Sequence, residues 1–256
     1  MKGFFKKIIF LFFIVFFLYP SYVYSMHPLI TDDTGTQGKG NWQMEINGKY
    51  DYDEENNIKT QTVEGNLTLS YGLAEPLDIV FSLPLQYNRI EEGTEVTREK
   101  GMSDTTIELK WRIWGKDGLS FAVKPGVILP TGDDERGLGS GRTSYSLFFI
   151  SSYERLAFSL HFNLGYIRNE NKFDEEENLW HVSFAPVYNL TDKIKICANV
   201  GMEKNPLRDE NTNPAFILGG LVYSLTDNFD VDFGLKHALN APEVDYSLLF
   251  GLTWRF

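Results

Sequence analysis

The chain has 256 residues, 43% of them hydrophobic and 15% aromatic, which suits one large domain or two small ones and excludes a disordered segment. A single long apolar span, at the extreme N-terminus, excludes a helical membrane protein with several crossings. A formal charge of −11 argues against a nucleic-acid partner, and one cysteine, Cys197, excludes an intrachain disulfide framework or a thiolate zinc cluster.

Residues 1–25 read as a secretory signal. Lys2, Lys6 and Lys7 form its positive end, Ile8 to Tyr19 is an unbroken apolar run, Pro20 breaks it, and Val23-Tyr24-Ser25 offers a cleavage site. The run is too short to cross a ~30 Å hydrocarbon core as a helix. Losing three lysines would take the charge from −11 to −14. Residues 26–40 follow as a Gly- and Asp-rich segment, suited to a periplasmic tail or a lumen insert.

From residue 41 onward, apolar and polar residues alternate over segments of ten or more. Ile107, Leu109, Trp111 and Ile113 alternate with Thr106, Glu108, Lys110 and Arg112. At the end of the chain, Tyr246, Leu248, Phe250, Leu252, Trp254 and Phe256 alternate with shorter or polar residues. A period of two sends the two sets to opposite faces of a strand. Twelve strands are expected, at 41–53, 58–72, 77–89, 103–115, 118–130, 143–152, 156–168, 178–189, 193–203, 214–225, 228–239 and 246–256.

Connections after the even strands are tight, such as Lys116-Asp117 and Thr226-Asp227. Those after the odd strands are mostly long and polar, as at 91–102, 131–142, 169–177 and 204–213. Short turns on one side, long loops on the other and an even strand number specify an all-β fold, a transmembrane up-and-down antiparallel β-barrel over 41–256. Aromatic rings fall in two layers. Tyr71, Trp114, Tyr153, Tyr188, Tyr223 and Trp254 lie near the short turns, and Tyr50, Tyr87, Tyr145, Tyr166, Trp180 and Tyr246 near the loops. The two interfaces of a bilayer select such belts. The expected location is the outer membrane of a Gram-negative bacterium, after export and signal cleavage. Expected partners are outer-membrane lipid and lipopolysaccharide, and the barrel-assembly machinery through the strand ending at Phe256.

Three stretches carry a family resemblance: Ile30 to Gly40; Leu129-Pro130-Thr131-Gly132-Asp133 with Gly137 to Gly141; and Gly251 to Phe256. They resemble the outer-membrane channel family named for the meta-pathway of phenol degradation. The resemblance implies a channel or transporter for small solutes, hydrophobic or aromatic compounds among them.

Chemistry is sparse. Among four histidines no metal-ligand spacing occurs, the Gly137 to Gly141 stretch lacks a phosphate-loop ending, and no cofactor is called for. His181-Val182-Ser183 faintly resembles the His-x-Ser of lipid-modifying barrel enzymes. Here Trp180, Val182 and Phe184 claim the lipid side, however, and no carboxylate sits two or four residues away to orient the imidazole. The chain is read as a non-enzyme.

Pore-lining candidates are Glu108, Lys110, Arg112, Lys124, Lys195, Asp230, Asp232 and Lys236, with Lys110, Arg112 and Lys124 as a positive constriction. Twelve strands enclose more than the ~8 that side chains fill, so a narrow pore is expected. Outer acids, above all Asp174, Glu175, Glu176 and Glu177, are candidates for weak divalent-cation binding. The leading function is passage of small solutes. The alternatives are a structural or adhesive barrel acting through acidic outer loops and, behind it, a lipid-modifying enzyme.

Overall fold

A computed structural model describes residues 26–256; the signal read at 1–25 lies outside the described residues. The alternating segments become antiparallel strands: β1 (Trp42–Glu55), β2 (Ile58–Ala74), β3 (Leu77–Glu92), β4 (Glu95–Met102), β5 (Thr105–Lys116), β6 (Leu119–Leu129), β7 (Ser144–Arg155), β8 (Phe158–Arg168), β9 (Asn178–Asn189), β10 (Ile194–Glu203), β11 (Ala215–Thr226), β12 (Phe229–Ala238) and β13 (Tyr246–Arg255). Consecutive strands pair, except that β5 pairs with β3 instead of β4, and β1 closes on β13 from Gln43↔Arg255 to Tyr52↔Tyr246. Twelve strands make the closed ring, and β4 pairs with β3 alone. The expected up-and-down barrel is the observed one, and every expected strand end lies within 3 residues of the observed end.

Residues 91–102, read as a loop, are instead a hairpin. The β3 strand runs on to Glu92, turns at Gly93 (φ 59°) and returns as β4. Beyond the bilayer both faces of a strand are wet, so Glu95, Arg98, Glu99 and Lys100 pair in register without any apolar alternation to announce it. The first outer connection is likewise only a turn. Asn56 and Asn57 both take left-handed backbone (φ 52° and 65°), the geometry a two-residue hairpin demands, so Asp51, Asp53, Glu54 and Glu55 lie within β1. Between β4 and β5, Ser103 and Asp104 absorb a one-residue change of register against β3, from Met102↔Leu85 to Thr106↔Ser82. That is a β-bulge, and it re-aims Asp104.

The period of two sorts the surface. On β13, Phe250 is 53% exposed while Ser247 and Thr253 are fully buried. Trp111, Leu147 and Leu164 also point outward and are exposed. Burying one such side chain is worth about 1.5–3 kcal/mol, so a continuous band of them calls for hydrocarbon rather than water. The rings form layers in register: Trp42 packs on Tyr71 at 4.5 Å and Trp254 on Phe256 at 4.6 Å beside the short turns, and Tyr52 stacks on Tyr246 at 5.2 Å on the other side. Among the described residues a small apolar cluster lies inside, where Leu29 packs on Phe216, Leu218 and Leu249.

Candidate functional site

The lumen of this barrel holds residues 26–40. From the start of β1 the segment enters at the short-turn side, where Gly40 N–H donates to Gly72 O at 2.8 Å and Gln37 N–H to the Asp78 carboxylate at 2.9 Å. It then follows the inner wall in strand order. Thr34 bonds Ser120 (2.5 Å) and, through its N–H, Ser152 (3.1 Å). Asp32 exchanges two bonds with the Asn163 amide, at 2.7 and 2.8 Å. Thr31 donates to Ser183 (2.7 Å) and accepts from Asn199 (2.7 Å). His27 ends the path against Asp232 at 2.5 Å. No helix or sheet satisfies this backbone, so short polar side chains of the wall do.

Glycine makes room for the last step. A Cβ on Gly220 would lie 2.5 Å from Pro28 Cγ, one on Gly234 2.6 Å from Pro28 Cβ, and one on Gly251 2.5 Å from His27 Nδ1. These distances are inside van der Waals contact, so the wall at β11 to β13 has to be bare for the segment to lie down.

Charge fixes the middle of the insert. Asp32 is bound by Lys110 and by Lys124, each at 2.9 Å, Asp33 holds Lys110 at 3.0 Å, and Glu108 lies 3.5 Å from Lys124. The expected positive constriction is therefore corrected: Lys110 and Lys124 are neutralised by carboxylates from the insert. Arg112 is exposed, nearer the short turns. The remaining candidates form other groups. Arg255 bonds Asp230 at 2.6 Å, Lys195 is buried on the same inner face, and Asp232 takes His27. Lys236 pairs with Glu243 at 2.6 Å, toward the outer mouth.

Between the insert and the wall of β1, β2, β3 and β5 lies a cavity of about 240 Å³, lined by Gln43, Glu45, Asn47, Thr68, Ser70 and Asp78 on one side and by Asp32 and Asp33 on the other. The same wall carries its own polar ladder: Gln43 donates to Glu45 at 2.6 Å, and Lys49 bridges Asp51 (3.0 Å) and Glu64 (3.3 Å).

His181 does have an orienting carboxylate, and it comes from the adjacent strand. Its Nε2 lies 2.9 Å from Ser183 Oγ and its Nδ1 3.4 Å from Glu203, directly opposite in the β9–β10 register. A search along one strand missed Glu203; the cross-strand register supplies it. Ser183 is 2% exposed beneath Thr31, and Val182 and Phe184 separate it from the lipid side, so the trio braces the insert and meets no membrane lipid. Asp32, Asp33 and His27 were also missed as partners. The one signal for them was an acidic pair in a segment with no periodicity of its own.

Of the acids expected to bind divalent cations, Asp174 pairs with Arg208 at 2.8 Å, Glu177 with Arg168 and Glu176 with Lys204 at 4.0 Å, while Glu175 accepts from the Asn169 amide at 3.2 Å. Among the described residues no group of three or more His, Cys, Asp or Glu side chains is placed to hold a metal. The loops clasp one another instead. Asp104 accepts from Gly132 N–H (2.9 Å), Ser140 N–H (2.7 Å) and Ser140 Oγ (2.8 Å), and Leu138 is tucked against Gly101. Lys172 donates to Asp134 at 2.7 Å, and that bond holds the Asp134 carboxyl below its ordinary range.

A closed twelve-strand barrel with an apolar outer band, two aromatic layers and a polar interior is the architecture of outer-membrane β-barrel proteins. The family model described as "Putative MetA-pathway of phenol degradation" matches residues 76–256, and the chain belongs to that family. In solved structures the chain is similar to the COG4313 outer membrane channel from Pseudomonas putida F1. The TM-score is 0.71 at 13% identity, covering 88% of this chain and 98% of that one. It is also similar to the KdgM porin (TM-score 0.53, 10% identity, 84% and 99% covered). The translocator domain of the autotransporter NalP from Neisseria meningitidis is similar as well (0.53, 11% identity, 86% and 89% covered). No curated protein sequence matches the chain.

Proposed function

We propose that this protein is an outer-membrane channel for small polar solutes, with a path between the insert and the wall of β13, β1, β2 and β3. One observation carries the reading. Along that wall the buried atoms Gln43 Oε1, Asn47 Oδ1, Asp51 Oδ1, Asn66 Oδ1, Ser247 Oγ and Thr253 Oγ1 have no hydrogen-bond partner among the described residues. A buried polar atom left unmet costs about 1–3 kcal/mol. Six such atoms line this wall, with Asp230 Oδ1 and Asp232 Oδ2 on β12 besides, and water in a passage along the wall would satisfy the six. The cavity beside it, about 240 Å³, has room for several waters. Amides, hydroxyls and carboxylates favour hydrophilic solutes there, and the aromatic compounds of the family description would pass only with a polar or charged group to pair with them.

The protein is exported, assembles through the strand ending at Phe256 and sits among lipopolysaccharide, on this reading. Reconstituted in planar bilayers, the full chain is expected to give a small, steady, cation-preferring conductance. Asp32, Asp33, Glu45, Asp78 and Glu108 outnumber Lys110 and Lys124 around the cavity. A sealed bilayer would contradict the channel and favour a structural barrel. Heat-modifiable gel mobility and recovery in outer-membrane fractions test the location.

A further inference from the structure

The insert's acidic residues occupy a place where the wall itself is short of an anion. Lys110 on β5 and Lys124 on β6 stand on adjacent strands, and Asp32 splits its carboxylate between them, with Oδ1 2.9 Å from the first ammonium and Oδ2 2.9 Å from the second. Asp33 adds a contact to Lys110 at 3.0 Å. The wall contributes one carboxylate within ion-pair distance, Glu108 at 3.5 Å from Lys124. Two ammonium groups against one carboxylate leave a net positive charge whenever Asp32 and Asp33 move away together. An uncompensated charge in a part-buried site costs several kcal/mol, so another anion has to take its place. Apart from these ion pairs, Asp32 is tied to the wall by two neutral bonds to Asn163. Bonds of that kind are individually weak and can be exchanged for water.

Access is already provided. Both lysines and both aspartates line the cavity of about 240 Å³, so a solute in the proposed passage meets them directly. Lys124 Nζ also lies 5.7 Å from the centre of the Phe148 ring, which places an apolar face beside the charge. That combination suits an anion with a hydrocarbon body.

Resting on the channel reading above, we propose that Lys110 and Lys124 form a binding site for small organic carboxylates, and that Asp32 of the chain's own insert occupies it in the resting state. Solute and insert compete for the same two ammonium groups. By linkage, whatever weakens the hold of Asp32 tightens solute binding by the same factor. A tethered carboxylate acts at an effective concentration in the millimolar range, so a free one competes at millimolar levels.

Saturation-transfer NMR on the detergent-solubilised full chain tests this without requiring conduction. Benzoate is the probe and benzyl alcohol its uncharged counterpart. Replacing the resident acids, Asp32→Asn with Asp33→Asn, is expected to raise benzoate affinity at least about tenfold, which is about 1.4 kcal/mol, and to leave benzyl alcohol unchanged. Adding Lys110→Gln and Lys124→Gln removes the gain. Lys124→Arg in the same doubly neutralised background keeps the charge and retains the gain, which separates loss of the site from loss of the fold. Equal benzoate affinity in wild type and Asp32→Asn/Asp33→Asn overturns the proposal, as does a gain that survives loss of both lysines. Benzoate binding as expected in a protein that carries no current supports this site while contradicting the channel, so the two failures are distinguishable.

Discussion

Along β6 to β12 the lumen face presents Ser120, Ser152, Asn163, Ser183, Asn199, Gly220 and Gly234, short side chains that bond the insert or make room for it. Along β1 and β2 it presents Gln43, Glu45, Asn47, Lys49 and Glu64, longer groups that bond one another and border the cavity or the ladder above it. The two arcs belong to one closed sheet and share the same outer apolar band. What differs is the partner of the inward residues. Along β6 to β12 short serines, asparagines and glycines stand between the longer Lys124, His181 and Lys195 and leave a track in which the insert is seated. Along β1 and β2 the inward groups bond one another and border the cavity. A twelve-strand ring is wide enough to hold both.

The largest expected effect comes from removing the insert. Deleting residues 28–38 leaves the β1–β13 closure intact, so the barrel should stay heat-modifiable while single-channel conductance rises several-fold, on the order expected for an unfilled ring of this size. Unchanged conductance would mean that the insert does not narrow the path. Next is Gly234→Val, whose side chain would strike Pro28. Overpacking of this kind costs about 1–3 kcal/mol, read as a lower temperature of the gel-mobility shift together with raised conductance. A lipid-facing control, Gly65→Val beside the exposed Val63 of β2, meets no atom within 4 Å of its new Cβ and should shift neither.

A smaller effect is expected at the outer loops. Asp104→Ala removes the acceptor for Gly132 and Ser140, and trypsin cleavage at Arg136 should quicken by about tenfold, as for the loss of roughly 1–2 kcal/mol of local hydrogen bonding, with conductance unaltered. The mildest test is pH. The Asp134 carboxyl is held below its ordinary range by Lys172, so its contribution is complete above the usual carboxylate range and is lost as pH falls through the lowered value. Cleavage of the 131–143 loop should be slow at neutral pH and faster in strong acid, and Lys172→Met should remove that difference.

Most of the barrel was legible because period-two patterning and tight turns are local signals: Ile107 to Ile113 and Tyr246 to Phe256 announce both strand and face. The β3–β4 hairpin was not, since a strand wet on both faces carries no alternation. The site was legible only in half. Lys110, Lys124 and Asp232 were placed inward by their strands, but their partners lie far away in sequence, 78 residues separating Asp32 from Lys110, 92 from Lys124 and 205 separating His27 from Asp232. A segment with no periodicity gives no register from which such pairings could be read. Glu203 escaped for a related reason, because its tie to His181 runs across strands.

Thiol accessibility compares the two arcs most directly, because the chain already carries a reference. Native Cys197 is buried on the inner face of β10, beside Gly220 and under the insert, whereas Asn47 faces the cavity from β1. In Asn47→Cys, a small water-soluble methanethiosulfonate added to the reconstituted protein is expected to modify position 47 rapidly and reduce the current, with Cys197 left unreacted in the same molecules. Modification of Cys197 with position 47 protected, or equal reactivity at both, would contradict a hydrated path along β1 and β2 and an insert seated against β6 to β12.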